Sequence, residues 1–240
     1  MSAHLAVAAQ PNRFMPGHLA AAMTPSLSDL PRASQTSDAD PLAGLGQTKV
    51  LDREQSVFSE GDAADAIFRV VDGVIRLYKL LPDGRRQIIG FLQAGDMMGL
   101  AFSDRYLYSA ETVTATTLQR IPRTQLETLM DTRPSLARRL LSVTTSELVA
   151  AQDQMLLLGR KTALEKLASF LLSFSRRAGG RRAIALPMSR GDIADHLGLT
   201  TETVSRGFTK LKTSRLIRIL DGGKVELLDC DALADLAECA

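Results

Sequence analysis

Gly73, Gly84 and Gly95 fall eleven residues apart in "AIFRVVDGVIRLYKLLPDGRRQIIGFLQAGD", and each separates short runs of apolar and β-branched side chains. Two of them follow an aspartate, and Asp-Gly between such runs is a strong hairpin signal. Turns this close together leave room only for short antiparallel strands, so the segment folds as a sandwich or barrel. "AETVTATTLQRIP" (110–122), rich in Val and Thr, supplies further strand.

Texture changes on either side of this β-region mark the remaining units. Residues 1–46, rich in Ala, Pro, Ser and Asp, show no periodicity and read as a mobile arm. The β-domain then spans 47–132. A long helix follows over 133–159, with Pro134 suited to its first turn. Leu141, Thr144, Leu148, Ala151, Met155 and Leu158 step by three and four residues, an a/d seam. Such a seam serves a helix packed on its own domain or one paired with its copy in a second subunit, and periodicity does not choose. Residues 160–229 form the last unit, and 230–240 a tail.

That last unit opens with "KTALEKLASFLLSFSRR", which carries Leu164, Leu167, Ala168, Leu171 and Leu172 on one face and stops at Gly179-Gly180. "RRAIALPM" reads as a strand. Ser189 can cap the next helix with Asp192 as its capping-box partner, and Ile193, Ala194 and Leu197 are its apolar face. Gly198 permits a sharp turn, and Thr200 can cap a second helix in which Val204, Phe208 and Leu211 point inward. Thr201, Glu202, Ser205, Arg206, Thr209, Lys210 and Lys212 are left outside. "LIRILDGGKVELLD" (216–229) closes the unit as a hairpin. Helix, glycine turn, helix and hairpin make a winged helix-turn-helix.

Charge distribution indicates what such a unit meets. The chain carries a net +2, yet residues 160–220 hold thirteen Lys/Arg against four Asp/Glu, so the remainder is net −7. A basic excess confined to one unit points to a polyanion. In the major groove, Arg206 can bond guanine O6 and N7, Glu202 can accept from cytosine N4, and Ser205 lies between them. Ser189, Arg190, Thr200, Thr201, Thr209, Lys210, Lys212, Arg215 and Arg218 are placed for backbone phosphates or nearby, giving affinity without sequence information.

Other classes are poorly served by these residues. There is no GxSxG, P-loop, HExxH or GxGxxG, so an enzyme is not expected. No run of about eighteen apolar residues is present, so no membrane helix is expected, and "MSAHLAVAAQPNRFMPG" does not read as a secretory signal. Two cysteines, Cys230 and Cys239, match no metal spacing and suit a reducing cytoplasm; no metal ligand set is expected.

"LPMSRGDIADHLGLTTETVSR" (186–206) closely resembles the DNA-binding motif of the cyclic AMP receptor/FNR superfamily of bacterial transcription regulators. Its Glu-x-x-Ser-Arg pattern, here Glu202, Ser205 and Arg206, is that of the FNR branch. "FSEGDAADAIFRVVDGVIRLYK" resembles the β-roll of the same superfamily, and "DQMLLLGRKTALEKLASFLL" is similar to its FixK subgroup. The resemblance, over about residues 48–228, implies an α+β chain with an N-terminal cyclic-nucleotide-binding-like β-roll (a jelly roll), a long dimerisation helix and a C-terminal winged helix-turn-helix. It further implies a homodimer joined along the seam and a TTGAT-like palindromic DNA site. The genes would be those of low-oxygen life and nitrogen fixation, mainly activated, with RNA polymerase as a partner for which the "PDGRR" loop (82–86) is a candidate surface. One departure is Gly207, where relatives carry a bulky aliphatic; Phe208 is expected to fill the space.

Two cofactors of the superfamily find few partners in this chain. An iron–sulfur cluster needs about four thiolates, and none precedes Cys230. The nucleotide-binding branch uses Gly-Glu-Leu and Arg-Ser segments, but here Leu100 replaces the glutamate and Tyr108 precedes Ser109 where the arginine belongs. Without that cation a phosphate is uncompensated, although Arg105 stands nearby. No cofactor is therefore expected; the alternative is a regulator gated by haem or a nucleotide in the β-roll.

Overall fold

The structure, a computed structural model, describes residues 42, 44–100 and 103–238. Eight strands precede the helices: β1 (Gln47–Leu51), β2 (Ser56–Phe58), β3 (Ala66–Asp72), β4 (Ile75–Leu80), β5 (Arg86–Leu92), β6 (Met97–Met98), β7 (Ser109–Thr112) and β8 (Thr116–Pro122). They form two four-stranded antiparallel sheets, ordered β1-β8-β3-β6 and β2-β7-β4-β5. Phe58, Phe68, Val70, Ile75, Leu77, Met98 and Leu118 fill the space between them. All three spaced glycines sit at turns in the left-handed region, with φ of 94°, 82° and 95°. At Gly73 a side chain would also collide with the backbone: a Cβ would lie 2.6 Å from the Ala115 carbonyl oxygen.

Alternation along β3 sends Phe68 and Val70 into the sandwich and Ile67 to the outer face. There Ile67 and Ile121 are covered by α1 (Arg123–Thr132) and the start of α2 (Pro134–Arg160), through Leu126, Leu136 and Leu140. Helix α1 was not anticipated from the sequence. Leu42 is buried in the same cluster, and the Gln119 amide donates to the Leu42 and Leu45 carbonyls, at 2.6 and 2.8 Å. Ordered packing thus includes Leu42 and 44–46, which the sequence assigns to the arm; residues 1–41 and 43 lie outside the described residues.

The last unit comprises α3 (Ala163–Arg177), β9 (Ala183–Ala185), α4 (Arg190–Leu197), α5 (Thr201–Thr213), the wing strands β10 (Ile217–Leu220) and β11 (Lys224–Leu227), and α6 (Cys230–Glu238). Residues 230–238 are therefore helix rather than the expected tail. Asp229 Oδ1 accepts from Ala232 N at 2.9 Å, an N-cap, and Leu233 and Ala237 are buried beside α3 residues such as Leu167 and Leu171.

Strand β5 joins the two units. Ile88 pairs with Tyr78 and Gly90 with Leu77, so Ile89 is a bulge residue. A bulge advances the chain one residue without changing face. Ile88 and Phe91 thus share a face, and both enter the core of the winged unit. Phe91 meets Phe170, Phe174 and His196 at ring-centroid distances of 6.4, 6.1 and 5.4 Å.

His196 is enclosed at this junction, its Nδ1 3.1 Å from the Ile88 carbonyl, to which it donates. Burial pushes its pKa below the usual value. The unfolded chain takes up this proton below pH ~6.5 and the folded chain resists it, so stability is lost as pH falls through that value. Glu147 acts in the opposite sense: partial desolvation on the otherwise exposed flank of α2 raises its pKa. Comparison with His196→Asn, whose amide can still donate to Ile88, isolates the histidine. Urea unfolding at about pH 7.5 and about pH 5.5 should show a larger acid loss for the wild type than for the variant. Equal losses would contradict this role.

Candidate nucleic-acid interface

Helix α4 begins with a closed capping box. Ser189 Oγ accepts from Asp192 N at 3.0 Å, and Asp192 Oδ2 accepts from Ser189 N at 3.0 Å and from Ser189 Oγ at 2.8 Å. The helix ends at Gly198, left-handed with φ 62°, and α5 starts from Thr200, whose hydroxyl accepts from Thr203 N at 3.2 Å. Val204, Phe208 and Leu211 are buried under α5 as expected. Thr201, Glu202, Ser205, Arg206, Thr209, Lys210 and Lys212 are all exposed.

The three residues expected to read bases share that outer face in different states of readiness. Ser205 Oγ donates to the Thr201 carbonyl at 2.8 Å, which leaves its oxygen as an acceptor. The Glu202 carboxyl is held below its usual pKa by its own backbone amide, by the Thr200 hydroxyl and by the Arg206 charge, so it is ionised. Arg206 makes no hydrogen bond or ion pair with any described residue. Its five donors are unspent.

Several flanking residues are placed differently from a simple phosphate comb. Arg190 lies over the Phe208 ring, its Cζ 3.2 Å from the centroid, so part of its surface supports α5 from beneath. Arg218 pairs across the wing with Glu226 at 3.0 Å. Lys224, which sequence reasoning missed, flanks a cleft of about 250 Å³ between the wing and the start of α4, shared with Ser189 and Arg190. Its only sequence signal is its place beside the Asp221-Gly222-Gly223 turn.

Two positions reveal backbone constraints. A Cβ on Gly207 would lie 3.0 Å from Leu167 Cδ2 and 3.8 Å from Leu164 Cδ2. The missing side chain is thus replaced by leucines of α3, which approach α5 closely; Phe208 points into the core instead. Arg215 adopts φ 58° in a Schellman-type ending, with Leu216 N bonded to Leu211 O and Arg215 N to Lys212 O, both at 3.0 Å. Glycine is usual there, and a non-glycine residue costs about 1–2 kcal/mol.

Along α2, Leu141, Leu148 and Met155 are 67%, 59% and 67% exposed, and Thr144 and Ala151 between them are exposed too. Leu158, last of the seam, is half-buried and faces Gly198, 3.3 Å from where a Cβ would stand. Only Leu136 and Leu140 of this helix are buried. Packing on its own domain therefore leaves most of the seam uncovered.

The Crp-like helix-turn-helix family model matches residues 165–236, and the cyclic nucleotide-binding domain model matches residues 48–133. AadR of Rhodopseudomonas palustris, a transcriptional activatory protein, is 44% identical over 205 residues, 82% of this chain and 85% of that protein. This chain belongs to the Crp/Fnr family of transcription regulators. The nitrogen fixation regulation protein FixK of Bradyrhizobium diazoefficiens is 46% identical over 189 residues, covering 77% of this chain and 79% of its own. Among solved structures, FixK2 from Bradyrhizobium japonicum superposes with a TM-score of 0.78 at 38% identity, over 82% of this chain and 99% of that one. A CRP-family regulator of Thermus thermophilus, 24% identical with a TM-score of 0.66, shares the fold.

A nucleotide-binding β-roll raises the question of its ligand, and the residues here do not fit one. Tyr108, where the family's arginine belongs, has its hydroxyl accepting from Gly99 N at 3.0 Å, and burial holds the phenol neutral. Ser109 Oγ accepts from Glu60 N at 2.9 Å, Leu100 packs into an apolar cluster, and Arg105 donates to the Gly61 carbonyl at 2.7 Å. Among the described residues at these positions, Arg105 is the one cation, and it is engaged by the Gly61 carbonyl. Two cysteines likewise cannot supply the four thiolates of a cluster.

Arg215→Gly should stabilise the chain by about 1 kcal/mol, raising Tm by about 2–4 °C. It should also weaken binding to all duplexes alike and lower the salt slope by about one. A lower Tm would contradict the strain. Gly207→Leu should cost about 1–3 kcal/mol in urea unfolding by overpacking against Leu167, and a neutral result would contradict the close approach of α3.

Proposed function

We propose that the chain works as a homodimeric, sequence-specific activator of low-oxygen and nitrogen-fixation genes. It binds a TTGAT-like palindrome in the cytoplasm and needs neither an iron–sulfur cluster nor cyclic AMP. The observation that carries this reading is the solvent face of α5, where ionised Glu202, Ser205 and Arg206, its guanidinium donors unbonded among the described residues, stand together. Its relatives are transcription regulators, including FixK proteins named for nitrogen fixation, and no catalytic role is proposed.

In this reading Arg206 takes guanine O6 and N7, Glu202 accepts from the cytosine amino group, and Ser205 completes the base-edge contacts. Ser189, Arg190, Thr200, Thr201, Thr209, Lys210, Lys212 and Arg215 set the register on the backbone, with Lys224 of the wing beside them. Leu141, Thr144, Leu148, Ala151, Met155 and Leu158 pair with their copies in the second subunit. Covering three large side chains that one chain leaves exposed supports that pairing. Two α5 helices related by a two-fold axis then meet half-sites one DNA turn apart.

RNA polymerase is the remaining partner. Of the 82–86 loop proposed for it, Arg86 is engaged inside the molecule by Asp192 and Asp195, and Arg85 bonds Asp83 at 2.8 Å. The polymerase surface is therefore the loop tip, residues 82–85. No helix among the described residues is long and apolar enough to cross a membrane, and none is proposed to.

Purified in air without added nucleotide or metal, the protein should footprint a TTGAT-type palindrome; binding that requires cyclic AMP, or a cofactor absorbance band, would refute the reading. Arg206→Ala should lose guanine preference at a cost of about 1–3 kcal/mol, whereas Lys212→Ala should weaken all sequences alike. Leu148→Asp should yield monomers in size measurement. A wild-type monomer would remove the palindrome.

A further inference from the structure

Arg86 and Arg76 belong to β5 and β4 of the β-roll, yet both donate to the carboxylate that caps α4, the first helix of the helix-turn-helix. Arg86 Nη2 lies 2.7 Å from Asp192 Oδ1, and its Nε lies 3.0 Å from Asp195 Oδ2. Arg76 Nη1 reaches the same Asp192 oxygen at 3.2 Å, while its Nη2 bonds Glu111 Oε1 at 2.7 Å. The Arg76 and Asp192 side chains are only 9% and 5% exposed. The second Asp192 oxygen is occupied by Ser189. One carboxylate therefore has its orientation fixed from both domains at once.

Apolar contact and buried charge do different things at such a junction. Ile88 and Phe91 hold the two units together, but apolar burial is non-directional and tolerates sliding. Buried ion pairs add little net stability over apolar packing, and their best-attested use is to specify one register. Forked guanidinium donors meeting fixed carboxylate oxygens accept a narrow range of angles. The element so fixed is α4, and α5 is joined to it by the short Gly198 turn and a shared core. An angular error at Asp192 is passed to the reading face.

We propose that Arg86, backed by Arg76, is a positioning residue for DNA recognition. It sets the angle of α4, and through it of α5, so that two subunits meet both half-sites together without an effector. Arg86 acts through Asp192 and Asp195 and not on DNA. The proposal rests on the reading of α5 as the recognition helix, and the experiment separates the two.

Binding of the full-length chain is measured on a duplex with inverted TTGAT half-sites, on one with a single half-site, and on the duplex recovered by selection from a random pool. Arg86→Ala should bind both two-site duplexes about tenfold more weakly. Its single half-site binding and its salt slope should match the wild type, because no phosphate contact is removed. Arg86→Lys, which keeps the charge but not the fork, should fall between them. If Arg86→Ala does not fold, as judged by its melting profile, Arg86→Lys carries the test.

Unchanged affinity of the folded variant for two-site duplexes would overturn the proposal. So would equal loss on one and two half-sites, which would mark local damage, or a salt slope lower by about one, which would mark a direct phosphate contact. Failure of the wild type to bind any recovered duplex would overturn the reading of α5 itself, and the proposal with it.

Discussion

The carboxylate of Asp192 is the point on which the two halves of this chain agree. One oxygen closes the capping box that starts α4, and the other receives Arg76 and Arg86 from the β-roll. Removing two charges from water carries an effective penalty of several kcal/mol per ion, recovered only when the geometry is good and other hydrogen bonds complete the shell. Here Ser189, Glu111 and Asp195 complete most of it, with Arg76 Nε left unpartnered. Such an arrangement favours one orientation of the winged unit over its neighbours. That orientation leaves the outer face of α5 in solvent.

An effector-gated relative needs a ligand to choose between two arrangements, and a ligand can shift them only through its differential affinity. In this β-roll the side chains at those positions bond within the domain. Tyr108, at the position of the family's phosphate-binding arginine, bonds the Gly99 amide and packs against Phe58. The side chains that would have answered a ligand are replaced by internal contacts, and β5 carries the domain junction directly.

Much of this was legible in the sequence because it obeys local rules. The turn glycines at 73, 84 and 95, the Ser189–Asp192 cap, Gly198, and the inward triplet Val204, Phe208 and Leu211 all stand as their spacing implies. What escaped depended on contacts far along the chain. Strict alternation puts Ile88 and Phe91 on opposite faces of β5, and only the bulge at Ile89 brings them together. Gly207 invited the idea that Phe208 fills the gap, whereas Leu164 and Leu167 of α3 do so. Arg86 reads in the sequence as part of the loop offered to RNA polymerase, but its partners lie more than a hundred residues away in α4. Helix α6 was passed over because its apolar stripe is short and finds its partner only in α3.

Hydrogen exchange on the ligand-free protein, with and without a cognate duplex, addresses the central claim most directly. If the domain junction is built into the chain, the amides of β5 and α4 should be equally protected in both states, and DNA should add protection mainly at α5 and the wing. Rapid exchange of β5 and α4 in the free protein, slowed only when DNA is added, would show that DNA makes the junction and would contradict the account.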